Sequence, residues 1–92
     1  MRLKSYLAEY LGAFFFILAI FASGGNALVI GGALAIAVFL IGPHSGAHVN
    51  PAVSLAMYMD GSLPHMDLFG YAFVQLLGGV SAYYAYRLAK RM

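Results

Sequence analysis

The chain has no cysteine, so disulfides and thiolate metal sites are excluded. It is almost as poor in charge. Five Lys and Arg and three Asp and Glu make up 9% of its 92 residues, with a formal net charge of +2. A soluble domain of this size needs far more polar surface. So small a net charge also gives no basis for nucleic-acid binding. No nucleophile–base set and no phosphate-cradling loop is present, so the sequence reads as no enzyme and implies no cofactor. What it does contain is apolar: 63% hydrophobic residues and a mean hydropathy of +0.85. That is a chain whose solvent is lipid, an all-α integral membrane protein with several passes.

The basic residues lie only at the two ends, Arg2 and Lys4, then Arg87, Lys90 and Arg91. Those are positions for side chains that snorkel from the flanks of spans. Met1 to Lys4 with the apolar run after it imitates a signal peptide. Glu9 inside the run, and a stretch long enough to cross most of a bilayer, favour a span. Three spans are expected, at about 5–22, 27–41 and 68–86, within a single domain of residues 1–92. Gly31, Gly32, Ala33, Ala35 and Ala37 in the second span are expected to let helices approach closely, and Gly78, Gly79, Ala82 and Ala85 in the third. Tyr83, Tyr84 and Tyr86 suit an interfacial aromatic belt.

Between the second and third spans the pattern changes. Residues 42–49 read as irregular backbone, and residues 50–59 as a short helix. Asn50 suits the N-cap and Pro51 the first helical position. A helix of about ten residues covers roughly half the hydrocarbon thickness. Residues 43–59 are therefore either a re-entrant loop with a half-helix lining a wet cavity, or a short helix lying on the surface.

The run Ser45-Gly46-Ala47-His48-Val49-Asn50-Pro51-Ala52-Val53-Ser54-Leu55-Ala56 resembles the first-half signature of the aquaporin and glyceroporin family, SGAHxNPAVxxA. Ala8-Glu9-Tyr10-Leu11-Gly12 resembles the family's opening AEFxG, Gly31 the small residue of the second helix, and Tyr71 with Gln75 its YxxxQ. The resemblance implies half of an aquaporin-like right-handed bundle: three transmembrane helices and one re-entrant half-helix. In the family two inverted repeats meet through their Asn-Pro-Ala caps, and this sequence supplies one.

The resemblance implies a passive channel for water or small uncharged solutes, with pore units grouping in fours. The nearly balanced basic flanks, two residues against three, lead to the expectation that it is built as an antiparallel homodimer with dual topology. The resemblance also implies that the Asn50 amide of the Asn50-Pro51-Ala52 motif meets the solute. The carbonyls of Gly46, Ala47 and His48 would form an accepting ladder, and Glu9 and Gln75 would brace the loop. Transferred by spacing from the signature, the filter positions are Ile30, Val38, Ala47 and Val53. Val53 stands where the family's second repeat carries an Arg. The other functions weighed are a non-conducting or truncated subunit paired with a full-length relative, and a proton-coupled transporter using Glu9. His44 and His48 are four apart, yet no third metal ligand is evident. His48 is expected to brace the loop and His44 to sit at a mouth. Asp60, His65 and Asp67 read as solvated loop. Membrane lipid is the expected surrounding, in an inner or plasma membrane.

Overall fold

A computed structural model describes residues 2–92 and contains four helices in the order α1 (Leu3–Ala22), α2 (Ala27–Ser45), α3 (Pro51–Met59) and α4 (His65–Lys90). At 1.5 Å per residue, α1 and α2 are roughly 30 Å long, α3 roughly 14 Å and α4 roughly 39 Å. Both α1 and α2 are apolar enough along their length to cross a bilayer. The 26-residue α4 overshoots the expected span at both ends, and its extra turns carry Asp67, Arg87 and Lys90.

Local chemistry sets the α1–α2 turn. Gly24 and Gly25 take positive φ (65° and 85°), a conformation that costs glycine nothing. Asn26 then caps α2, its side chain accepting from the Val29 N–H at 3.0 Å.

The other end of α2 differs from expectation. Residues 42–45 are helical, and the irregular backbone begins only at Gly46, which terminates the helix at φ 89°. Pro43 lies in the last turn and deprives only the Phe39 carbonyl of its donor, while the carbonyls of residues 42–45 have few intrahelical partners in any case. Neighbouring elements supply the partners instead. Ser5 Oγ donates to the His44 carbonyl at 2.8 Å, and the Tyr71 hydroxyl donates to the Ser45 carbonyl at 2.6 Å. No sequence window around Pro43 contains those donors.

The first helix is central, packing against both α2 and α4, while α3 packs against α4. Contacts run antiparallel between α1 and α2 (Ser5 with His44) and parallel between α1 and α4 (Tyr6 with Asp67, Tyr10 with Ser81). Small residues set these distances. A Cβ on Gly78 would lie 2.6 Å from the Tyr10 carbonyl oxygen, and one on Gly12 would lie 2.8 Å from Val49 Cγ1. Of the small residues expected to form contacts on α2, Ala33 and Ala37 are buried. Gly31, Gly32 and Ala35 face outward, because the α1-facing stripe follows the i, i+4 pair rather than the glycines.

The interior is unlike that of a soluble protein. Its largest fully buried side chains are Tyr71, Glu9 and Ser54, whereas Leu28, Phe39, Phe69 and Phe73 are exposed. The accessible surface is 5954 Å². A compact monomer of this mass would expose about 5,200 Å². Lipid suits the outward apolar side chains, and the surplus area marks an open face.

Candidate functional site

Asn50 starts the half-helix in extended backbone (φ −157°, ψ 127°), and its Oδ1 accepts from the Ala52 N–H at 2.8 Å. Pro51 occupies the first turn. The N-terminus of α3 is thereby fixed while the Asn50 amide nitrogen keeps both its hydrogens free among the described residues. The helix ends at Asp60, with Gly61 at φ 87°.

The loop before it is held in an unusual path. Ala47 and Val49 both have positive φ, 55° and 49°. For a β-branched residue that conformation costs on the order of 1–3 kcal/mol and persists only where the surroundings enforce it. Glu9, fully buried on α1, enforces it. Its Oε2 accepts from Ser45 Oγ at 2.6 Å and the His48 N–H at 2.9 Å. Its Oε1 accepts from the Val49 N–H at 2.7 Å and Gln75 Nε2 at 2.9 Å. Four donors fill the acceptor sites of one carboxylate, which is how a charge is tolerated at this depth.

Gln75 extends the network to α3. Its Nε2 also donates to Ser54 Oγ at 2.9 Å, and Ser54 Oγ lies 2.8 Å from His48 Nδ1. A neutral His48 carrying its proton on Nε2 lets Ser54 donate to Nδ1 while accepting from Gln75. The His48 ring also packs edge-on against Tyr71, centroids 5.1 Å apart. Gln75 Oε1 is buried with no partner.

This bracing leaves the loop one-sided. The N–H groups of Ala47, His48 and Val49 all donate into the protein. The carbonyls of Gly46, Ala47, His48 and Val49 accept no hydrogen bond among the described residues, whereas those flanking them, of Ser45 and Asn50, do. Beside the loop an open cleft of about 620 Å³ runs between α1 and α4, lined by Phe16, Ile17, Val49, Asn50, Pro51 and Val80 among others.

The structure thus brings together Glu9, Gln75, His48 and the Asn50 cap. It does not join the four filter positions. Val53 is half-buried on α3 and Ala47 is buried in the loop, while Ile30 and Val38 lie on α2, which has no packing contact with α3. His44 is exposed at the end of α2. No group of three or more His, Asp or Glu suited to a metal occurs among the described residues.

Asp67 departs from the reading of Asp60, His65 and Asp67 as solvated loop. It is buried on the first turn of α4, 2.9 Å from Arg2 Nε and accepting from the Tyr6 hydroxyl at 2.9 Å. Its partners lie more than sixty positions earlier, so no local pattern could reveal them. Sequence reasoning also assigned no role to Ser45, Ser54 or Tyr71 in the bracing. The available signal was their position inside the signature and the YxxxQ pair.

Three long helices and a capped half-helix, tied by a buried carboxylate and exposing their apolar side chains, define a helical membrane protein with a re-entrant segment. The chain matches the model of the Major intrinsic protein family over residues 1–90 and belongs to that family. The family consists of integral membrane channels, not enzymes. The chain is 33% identical over 88 residues to glycerol uptake facilitator protein-like 6 of Lactiplantibacillus plantarum, covering 87% of this chain and 41% of that protein. It is 37% identical to a probable glycerol uptake facilitator protein of Thermotoga maritima over 79% of this chain and 38% of the relative. Against aquaporin-10 of Milnesium tardigradum, identity is 41% over 83% of this chain and 22% of the relative. The chain therefore spans less than half the length of each of these relatives.

Proposed function

We propose that this chain is one half of a passive channel for water and small uncharged solutes, completed by a second, inverted copy of itself. The observation that carries the reading is the one-sided loop. Its amides are consumed inward, while four successive carbonyls, Gly46 to Val49, and the Asn50 amide stay free among the described residues at the N-terminus of a half-helix. A solute with donors and acceptors exchanges hydrogen bonds along such a track. The positive end of the α3 dipole disfavours cations at the same point.

A second copy inserted with the opposite orientation would place two half-helix caps on a two-fold axis and cover the cleft between α1 and α4. Charge supports either orientation, since Arg2 and Lys4 flank one side and Arg87, Lys90 and Arg91 the other. Pore units are proposed to group in fours, in an inner or plasma membrane. The proposed filter positions Ile30, Val38, Ala47 and Val53, which one copy does not bring together, are all uncharged. That favours glycerol and other small neutral solutes alongside water, in keeping with the printed names of two of the relatives.

The Glu9 network weighs against proton-coupled transport. A proton on either oxygen would displace one of the four donors, so the residue is suited to bracing rather than shuttling. The test is reconstitution of the purified chain and measurement of vesicle shrinkage and re-swelling with water, glycerol, urea and ammonia. Flux of water and glycerol, insensitive to an imposed proton gradient, is expected. Absence of flux for every solute would remove the channel reading for the homomer and leave the non-conducting subunit.

A further inference from the structure

The two membrane faces, similar in their number of basic residues, differ in their acidic ones. On the face where α1 and α4 begin, the cations Arg2 and Lys4 are accompanied by Asp60 and Asp67, and Arg2 is already paired with Asp67. On the opposite face the short α1–α2 turn carries no charge. There the end of α4 supplies Arg87, Lys90 and Arg91, and no acidic residue occurs between Leu68 and Met92.

Two of these three cations border one concavity. A cleft of about 460 Å³ is lined by Tyr83, Tyr84, Arg87, Leu88 and Arg91. Arg87 and Arg91 are one helical turn apart and share a helix face. Tyr83 positions the first guanidinium, accepting a hydrogen bond from Arg87 Nη1 at 2.9 Å, with the guanidinium carbon 5.8 Å from its ring centroid. That leaves four of the five guanidinium donors of Arg87 unspent. Lys90 points elsewhere, its Nζ 5.8 Å above the Tyr86 ring. Arginine forks match the geometry of phosphate oxygens, and amphipathic tyrosines belong at the level of lipid headgroups.

We propose that the cleft at the end of α4 binds the phosphate of an anionic phospholipid, held between Arg87 and Arg91 with Tyr83 and Tyr84 beneath it. The carbonyls at the C-terminus of α4 oppose an anion, and three cations without a neighbouring acid outweigh them. One copy contains all of the site's residues, and Tyr83 and Tyr84 also border the α1–α4 cleft that the second copy is proposed to cover.

The proposal is tested by lipid retention in native mass spectrometry, using the whole chain with an equal mixture of phosphatidylglycerol and phosphatidylcholine. Preferential retention of phosphatidylglycerol is expected. Each basic residue near a membrane surface contributes about five-fold, so Arg87→Gln with Arg91→Gln should cut that preference by roughly 30-fold. The pair Arg87→Lys and Arg91→Lys keeps the charge but loses the planar forks, and should also weaken retention. Lys90→Gln should weaken it less than Arg87→Gln. Helical circular dichroism should be unchanged in every variant, since these side chains are exposed. Equal retention of the two lipids would overturn the proposal. So would wild-type retention by the lysine pair, a Lys90→Gln loss as large as that of Arg87→Gln, or complete displacement of the lipid by millimolar inorganic phosphate.

Discussion

Glu9 shows how much a single residue can carry. It ties α1 to the backbone of His48 and of the strained Val49, holds Ser45 beside the strained Ala47 and, through Gln75, reaches α3. In Glu9→Gln one acceptor oxygen becomes an amide that faces one backbone N–H and one side-chain donor. Donors left unsatisfied in a buried site cost about 1–3 kcal/mol each. Loss of several kcal/mol of stability is expected, read by unfolding in detergent, with flux lost in vesicles of any surviving protein. A folded variant that loses only proton coupling would point instead to the transporter. At Val53 the expectation concerns selectivity. Val53→Arg introduces a charged donor at the proposed filter and should lower glycerol flux relative to water. An unchanged ratio in the swelling assay would reject the filter assignment.

Among the elements, the contact between α1 and α4 depends on glycine at one position. A Cβ at Gly78 would meet backbone, the Tyr10 carbonyl oxygen at 2.6 Å, which cannot rotate away. Gly78→Ala should destabilise by about 1–3 kcal/mol. At Gly79 the nearest atom to a Cβ is Ile17 Cγ1 at 3.8 Å, and at Gly31 nothing lies within 4 Å. Alanine at either should be tolerated, and at Gly31 it should add up to about 1 kcal/mol of helix propensity. Thermal unfolding of the three variants side by side checks the order. The half-helix itself was legible: Asn50 as cap and Pro51 in the first turn follow from capping chemistry within three residues. The end of α2 was not legible, because the groups that hold residues 42–45 helical come from α1 and α4.

For the whole molecule, the open cleft and surplus surface require something to cover the face between α1 and α4. In the proposed dimer that cover is an inverted copy, so each terminus is expected on both sides of the membrane. A reporter fused to the C-terminus should be active in both compartments. Activity on one side alone would sink the dual-topology homodimer.

The amino-acid sequence by itself determined the lipid solvent, the three long helices, the half-helix and its cap. Each depends on composition, or on chemistry within a turn or two of backbone. Scarcity of charge also limited the buried carboxylates to very few candidates, and the family resemblance implied Glu9 as the brace. Tertiary structure alone decided what Glu9 holds: the positive-φ path of Ala47 and Val49, the inward amides and the free carbonyls. It also decided that Asp67 is a buried ion-pair partner, and that Gly31 and Gly32 face outward while Gly78 sits at a helix crossing. The physical reason is the same throughout. A hydrogen bond or a close approach between residues 36 to 66 positions apart depends on how helices pack, and periodicity within one helix does not encode it.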